Sequence, residues 1–248
     1  MAKHPTHHAG ETLDELQSAA DRLGIFIQSN LRAVVAAIVV LVLVAGAVSL
    51  FVSLRKKADN DASIALADAR ADYLEAMGAP AGSLEVPELA NPDAAKRIRE
   101  EYLARYNEIA DAHQGTVSGA LARLEAAELQ MRAKENDAAL ETLRKARAQA
   151  PSNPALQGVI LQREAQVLEQ AERFAEAADL HEEAAALDGY PLNDYALADA
   201  ARCRVVAGEL DAARDLYARL DAEAPNIQLP DYQRMQKREL VGDKPAAA

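Results

Sequence analysis

The hydrophobic pattern of the chain is dominated by one uninterrupted apolar run, residues 33–54, which reads AVVAAIVVLVLVAGAVSLFVSL. The run holds no charged residue, no proline and no amide side chain, and basic residues flank it: Arg32 on one side, and Arg55, Lys56 and Lys57 on the other. As a helix, its 22 residues would extend about 33 Å, close to the thickness of the hydrocarbon core of a bilayer. Because a helix pairs its own backbone polar groups, the pattern predicts a single transmembrane helix with the lipid bilayer as its partner.

Two other interpretations of this run are a buried core helix and a cleaved signal peptide. A core helix usually keeps one polar face and is rarely this long. The apolar core of a signal peptide spans about 7–15 residues and lies close to the N-terminus. Residues 33–54 are longer and begin further along the chain. The pattern therefore favours a membrane anchor.

Polar tails are predicted at both ends of the chain, at residues 1–10 and 241–248. The first tail is interpreted as a solvated segment rather than a weak metal site, although it carries three histidines: His4, His7 and His8. Between this tail and the anchor, residues 11–32 place apolar side chains at helical spacing. We expect an amphipathic helix there.

After the anchor, the pattern predicts two helices over residues 58–113, which lead into the rest of the soluble part. The first helix ends at Gly78, since glycine favours the left-handed conformation of a helix C-terminus. A loop rich in proline and glycine follows at residues 79–92. The second helix begins at Pro92, with Asn91 as its N-cap, and continues to about residue 113.

From residue 120 the chain repeats itself, with units that begin 38 and 36 residues apart, at Ala120, Gly158 and Asp194. A tetratricopeptide repeat has a period of about 34 residues and consists of two helices joined by a tight turn. Small residues let the paired helices approach closely, and a helix breaker ends each unit. The small residues are Ala127, Ala165 and Ala201 in the first helices and Ala139, Ala177 and Ala213 in the second, and the breakers are Pro151, Gly189 and Pro225.

The sequence therefore predicts an all-α protein, with an N-terminal single transmembrane helix followed by an α-solenoid of tetratricopeptide-like helical hairpins. The repeat domain is expected over residues 116–240, with hairpins at about 120–151, 158–189 and 194–225 and a capping helix at 229–240. The alternative is a generic helical bundle with accidental spacing, since matches at alanine carry little weight in an alanine-rich chain.

The part of the chain after residue 57 carries 21 Lys and Arg residues against 35 Asp and Glu residues, a net charge of −14. Such a surface repels phosphate backbones, which argues against nucleic acid as a partner. The single cysteine, Cys203, excludes an intramolecular disulfide and a motif of paired cysteines. Its neighbours Arg202 and Arg204 are of the kind that lowers a thiol pKa, but a lone cysteine in a helix is more often a small packing residue.

Catalytic motifs are absent from the sequence, which has no glycine-rich phosphate loop, no HExxH and no GxSxG. His113 lies at a predicted helix end, where it is expected to cap the helix, and His181 falls on a packing position between helices. We therefore expect a chain without enzyme activity, cofactor or metal site.

The expected binding surface is the concave face of the solenoid, which the first helix of each unit lines. Such a face suits an extended peptide or a partner helix. The alternative is that some of its residues pack against the helices of 58–113. The predicted residues are Leu121, Leu124, Glu128, Gln162, Gln166, Tyr195 and Arg202.

The order of these parts resembles the membrane-anchored repeat family typified by YfgM, the ancillary subunit of the bacterial SecYEG translocon. The resembling stretches are residues 20–40 (ADRLGIFIQSNLRAVVAAIVV), 63–77 (SIALADARADYLEAM) and 115–129 (GTVSGALARLEAAEL). The resemblance implies a single-pass protein of the bacterial inner membrane. It also implies that the repeats lie in the periplasm and contact the SecYEG translocon and periplasmic chaperones.

Other functions stay open on the sequence alone. The chain is also consistent with a scaffold for an envelope or division complex, or with an enzyme or metal binder that uses Cys203 or the N-terminal histidines. The charges beside the anchor favour the opposite orientation, since the positive-inside rule places the more basic flank in the cytoplasm. That flank carries Arg55, Lys56, Lys57 and Arg70, against Arg22 and Arg32 on the N-terminal side. We nevertheless predict periplasmic repeats, following the resemblance.

Overall fold

The computed structural model describes residues 29–80, 83 and 85–242. The predicted tail at residues 1–10 lies outside the described residues, as does the predicted amphipathic helix at 11–32 up to residue 28. Residues 243–248 of the second predicted tail also lie outside them.

Regular secondary structure in the described residues consists of α-helices alone, which confirms the all-α prediction. The helices are α1 (Leu31–Ala76), α2 (Pro92–Ala112), α3 (Val117–Arg132), α4 (Asn136–Gln149), α5 (Pro154–Gln170), α6 (Phe174–Ala185), α7 (Asn193–Val206), α8 (Leu210–Glu223) and α9 (Asp231–Val241).

Helix α1 is continuous and joins the apolar run to the first helix predicted after it. Arg55, Lys56 and Lys57 do not interrupt α1, because arginine and lysine favour helix and no glycine or proline lies between residues 47 and 77. The apolar part of α1 is long and apolar enough to cross a membrane. Its large apolar side chains are exposed, Leu41 to 70%, as expected of a helix that contacts lipid rather than a protein core.

The contacts within the chain divide it into two units, Met1–Lys56 and Lys57–Ala248. In the second unit, the C-terminal part of α1 packs with α2 and α3. The ring centroid of Tyr73 in α1 lies 5.2 Å from that of Tyr102 and 6.4 Å from that of Tyr106, both in α2. Ala122 and Ala126 of α3 belong to the same buried cluster. The C-terminal part of α1 and helix α2, which we call the lead-in helices, are therefore part of the packed fold.

The connection between α1 and α2 carries the predicted end signals. Gly78 has a φ of +76°, and its N–H donates to the carbonyl of Glu75 at 2.9 Å, which ends the helix. Pro92 is the first residue of α2, and the side chain of Asn91 caps this helix by accepting from the N–H of Asp93 at 3.0 Å.

The helices after α2 form hairpins that stack in sequence order. Helix α3 packs with α4, α5 with α6, and α7 with α8, while α4 packs on α5 and α6 on α7. The last described helix, α9, contacts α7 and α8 and covers the end of the stack. This order corresponds to the helical solenoid that the sequence pattern predicts.

The small residues at the repeated positions are buried in these hairpins. Each is at most 1% exposed: Ala127, Ala139, Ala165, Ala177, Ala201 and Ala213. The first four belong to one apolar cluster. Because protein interiors are close-packed, a larger side chain at such a position would have to displace its neighbours.

The turns inside the three hairpins share one backbone geometry. Lys134, Glu172 and Gly208 have left-handed φ values of 59°, 58° and 81°. In each turn, the N–H of this residue donates to the carbonyl three residues earlier, and the next N–H donates to the carbonyl five residues before it. The three residues are 38 and 36 positions apart, the same spacing as the predicted unit starts. The backbone thus supports the repeat by a feature that does not depend on alanine content.

Candidate protein-binding surface

The first helices of the three hairpins lie side by side. Helix α3 contacts α5, and α5 contacts α7, although a second helix separates each pair in the sequence. This adjacency follows from stacking hairpins on one another, and it produces a continuous surface of first helices.

The predicted surface residues differ in accessibility. Gln166 and Tyr195 are exposed, and the side chain of Glu128 is 36% exposed. Leu121 and Leu124 are half-buried: Leu121 packs against the cluster of α1, α2 and α3, and Leu124 against the cluster that contains Ala127 and Ala139. For Leu121, packing against the lead-in helices therefore describes its environment.

The two remaining predicted residues form hydrogen bonds within the fold. Tyr190, in the connection between α6 and α7, donates its hydroxyl to Oε1 of Gln162 at 2.8 Å. Arg202 donates from Nη2 to Oε1 of Glu169 at 2.8 Å. These bonds join the second hairpin to the third.

A cleft of about 540 Å³ opens along α3 and α5. Glu128 and Gln166, two of the predicted residues, line it. The repeat positions in the sequence do not predict the remaining lining residues, because these residues come together only through the packing of α3, α5 and the start of α6. These residues are Met131, Arg132, Arg163, Glu169, Gln170 and Phe174.

The wall of the cleft combines arginine, glutamate and glutamine side chains. Nε of Arg132 lies 3.1 Å from one carboxylate oxygen of Glu128, and Nη1 of Arg163 lies 3.9 Å from the other. Arg163 also donates to Oε1 of Gln166 at 2.9 Å. Arg132 and Arg163 share the carboxylate of Glu128, and Glu169 adds a second carboxylate to the lining. Both ion pairs are exposed, so a partner can reach their atoms. Exposed ion pairs also contribute little to stability.

Glu169 connects the cleft to the protein interior. Its Oε1 lies 3.0 Å from Nε2 of His181, a residue that is 2% exposed, and it also accepts from Arg202. Burial raises the pKa of Glu169, but the hydrogen bonds from His181 and Arg202 outweigh burial and hold this pKa at about 2. Since an ionised carboxylate only accepts, Nε2 of His181 carries the proton in this bond.

Cys203 of the third hairpin is buried in the apolar cluster that the first and second hairpins form, which supports its interpretation as a packing residue. Burial raises the pKa of its thiol to about 12, and Arg202 lowers that pKa only in part. The interpretation of Cys203 as a thiol activated by its neighbouring arginines is therefore wrong. Arg204, the other neighbour, instead pairs with Asp179, Glu182 and Glu209.

The histidines within the described residues have the predicted structural roles. His113 is the C-cap of α2, and its backbone N–H donates to the carbonyl of Ile109 at 3.1 Å. His181 is buried between helices, as its packing position in the repeat predicts.

Comparison with known protein families supports the repeat assignment. Residues 168–238 match a family model described as a tetratricopeptide repeat. The match runs from the end of α5 through most of α9 and supports a tetratricopeptide-repeat protein. Repeats of this kind generally act as non-catalytic scaffolds that bind other proteins. No curated protein matches the chain, so the resemblance to the YfgM family stays a prediction.

Proposed function

We propose that this chain is a non-catalytic, membrane-anchored protein–protein interaction module that binds its partner on the surface of α3, α5 and α7. The observation that carries this proposal is the open cleft along α3 and α5. It offers accessible arginine and glutamine side chains together with Phe174, a combination suited to an extended peptide or a partner helix. The apolar part of α1 supplies the anchor.

The proposed partners are the SecYEG translocon and periplasmic chaperones, with the protein acting as an ancillary factor in the handover of exported chains. The support is the family-like order of an anchor, a long helix and tetratricopeptide-like hairpins. The proposed location is the bacterial inner membrane, with the repeats in the periplasm and the N-terminal segment in the cytoplasm.

Site-specific photo-crosslinking in intact cells tests the surface and the partner together. A photoreactive residue replaces Gln166 or Tyr195, both exposed on first helices. The matched control replaces Lys145 of α4, whose side chain is 55% exposed but belongs to a second helix. We expect adducts with SecY or a periplasmic chaperone, identified by antibody, from the first two positions and not from Lys145. Equal adducts from all three positions would contradict the proposed surface.

A second candidate is a scaffold for an envelope or division complex with the repeats in the cytoplasm. The observation that favours it is the basic cluster Arg55, Lys56 and Lys57 directly after the anchor, since basic flanks tend to stay inside. Protease treatment of spheroplasts separates the two orientations. Digestion of the repeats under conditions that spare cytoplasmic controls supports the periplasmic proposal. Protection places them in the cytoplasm and removes periplasmic chaperones as partners.

A further inference from the structure

Three side chains of metal-ligating types converge where the second hairpin meets the third. Glu169 lies at the end of α5, His181 in α6 and Cys203 in α7. One ligand atom from each residue lies within 4.8 Å of those of the other two. His181 and Cys203 are buried, and Glu169 is half-buried. We propose that Glu169, His181 and Cys203 form a binding site for a divalent transition-metal ion such as Zn²⁺.

The donor set indicates the class of metal. A carboxylate, an imidazole and a thiolate are the usual protein ligands of Zn²⁺, and three of them leave a fourth tetrahedral position open. A sulfur ligand favours zinc-like ions over Mg²⁺ and Ca²⁺, which prefer sites built only from oxygen. The cluster therefore fits a single zinc-class ion.

His181 would supply the imidazole ligand of this site. Its side chain is 3% exposed, and its Nδ1 atom has no hydrogen-bond partner among the described residues. When the ring is neutral and Nε2 donates to Glu169, Nδ1 holds a lone pair that is buried without a donor, which is an unfavourable arrangement. Nε2, which faces Glu169, is the atom that would bind the ion, and the ring proton would then be carried by Nδ1, so that the imidazole ligand stays neutral.

The charges around the cluster accommodate a dication. Nη2 of Arg202 bonds to Oε1 of Glu169, and Nε of Arg202 lies 3.3 Å from Oδ1 of Asp199. With a protonated thiol, these two carboxylates and one guanidinium carry a net charge of −1. Binding of a dication releases the thiol proton to solvent and forms a metal–sulfur bond, which brings the group to neutrality.

Arg202 bonds to only one oxygen of Glu169. Both the Arg202 and the His181 bonds of Glu169 use Oε1, so Oε2 is the oxygen that a cation would use. Asp199 retains Arg202 if Glu169 turns toward the ion. Access is provided by the cleft along α3 and α5, since Glu169 lines that cleft and its side chain is 20% exposed.

Cobalt spectroscopy on the full chain in detergent micelles tests the site. Because Cys203 is the only cysteine, a thiolate-to-cobalt charge-transfer band in the near ultraviolet can arise only from this residue. After treatment with a chelator, addition of Co²⁺ is expected to produce this band and to saturate at one equivalent. Zn²⁺ should then displace the cobalt and abolish the band.

Variants separate this site from the N-terminal histidines. A chain with His4, His7 and His8 all replaced by alanine should keep the band, and Cys203→Ser should lose it. Glu169→Gln should weaken Co²⁺ binding at least about tenfold. The decisive measurement uses the wild-type chain, so it does not depend on whether a variant folds. A folded wild-type chain that shows no thiolate band with excess Co²⁺ would overturn the proposal. The cluster would then be an ion-pair network alone.

Discussion

The ring of Tyr190 lies directly against the backbone of Gly158. A Cβ atom on Gly158 would come within 2.4 Å of two ring carbons of Tyr190. Tyr190 is 3% exposed, and its hydroxyl donates to Gln162 one helical turn after Gly158. Since Tyr190 stands in the connection from α6 to α7, this contact fixes where the third hairpin begins relative to the second.

We therefore expect Gly158→Ala to destabilise the protein, although alanine favours helix over glycine by about 1 kcal/mol. The added methyl group must displace the tyrosine ring, and overpacking of this kind costs about 1–3 kcal/mol. Urea unfolding of the full chain in detergent, followed by circular dichroism, measures the change. In a Tyr190→Ala background the same Gly158→Ala substitution should no longer destabilise the protein. A loss that persists without the ring would show that the contact is not the cause.

Substitutions at the equivalent turn residues Lys134, Glu172 and Gly208 should change the free energy of unfolding in opposite directions. A left-handed conformation costs a residue with a Cβ about 1–2 kcal/mol, whereas glycine adopts it freely. Lys134→Gly and Glu172→Gly should therefore stabilise the protein by roughly 0.5–1 kcal/mol, after the greater entropy of glycine in the unfolded chain is subtracted.

The matched control for these turns is Gly208→Ala. A Cβ at Gly208 would meet no atom within 4 Å, so its effect reports the backbone conformation alone. We expect a loss of about 1 kcal/mol in the free energy of unfolding. If all three substitutions shift stability in the same direction, the shared turn geometry does not govern it.

Arg123 joins the lead-in helices to the first hairpin and gives a third prediction. The residue is 4% exposed. From α3 it donates to Asn107 of α2 at 3.1 Å and to Gln149 of α4 at 2.9 Å, and it also pairs with Asp111. Arg123→Met should remove the hydrogen bonds that this buried guanidinium makes to two neighbouring helices and cost about 1–3 kcal/mol.

Thermal unfolding of the full chain measures this loss of stability, and substitution of a surface arginine is the control. Arg219 of α8 pairs with Glu223, and both side chains are nearly half exposed. Arg219→Met should change stability by less than about 0.5 kcal/mol. Equal losses for the two variants would contradict a role for Arg123 in joining α2, α3 and α4.

The fold was largely predictable because its signals are local. Asn91 and Pro92 specify a helix start through their own backbone and side-chain atoms, and the alanines of the repeat recur at fixed spacing whatever surrounds them. The continuity of α1 through Arg55 was missed because a charge cluster resembles a boundary in the sequence. Helix propensity, rather than charge, decides whether the backbone breaks there.

The candidate site was less predictable because it depends on contacts between distant positions. Glu169 and Arg202 are 33 residues apart, and nothing in either local pattern indicates that they meet. The arginines beside Cys203 suggested a lowered thiol pKa, but burial, which the local sequence does not reveal, has the larger effect. Phe174 reaches the cleft only because α6 begins beside α5.

The last prediction concerns Glu164 of α5, a buried carboxylate whose side chain is 2% exposed. Nε of Arg147 lies 3.3 Å from its Oε1, but that oxygen accepts no hydrogen bond. Burial raises the pKa of Glu164 above its ordinary value, Arg147 and Arg144 oppose this shift, and Glu183 adds to it. The folded protein therefore binds this proton more tightly than the unfolded chain does.

The sign of the pH dependence follows from linkage. A carboxyl group with a raised pKa destabilises the folded state once it is ionised, and this penalty disappears as the pH falls through the folded and then the unfolded pKa. Glu164→Gln removes the charge and should make the protein more stable at pH 7.5, with a gain that shrinks toward pH 4.

Glu141 is the matched control, because its hydrogen bond with Lys145 lowers its pKa. Glu141→Gln should therefore reduce stability at pH 7.5. Urea unfolding of both variants at the two pH values measures these differences, and a Glu164→Gln variant less stable than the wild type at pH 7.5 would mean that the attraction of Arg147 exceeds the cost of burying the charge.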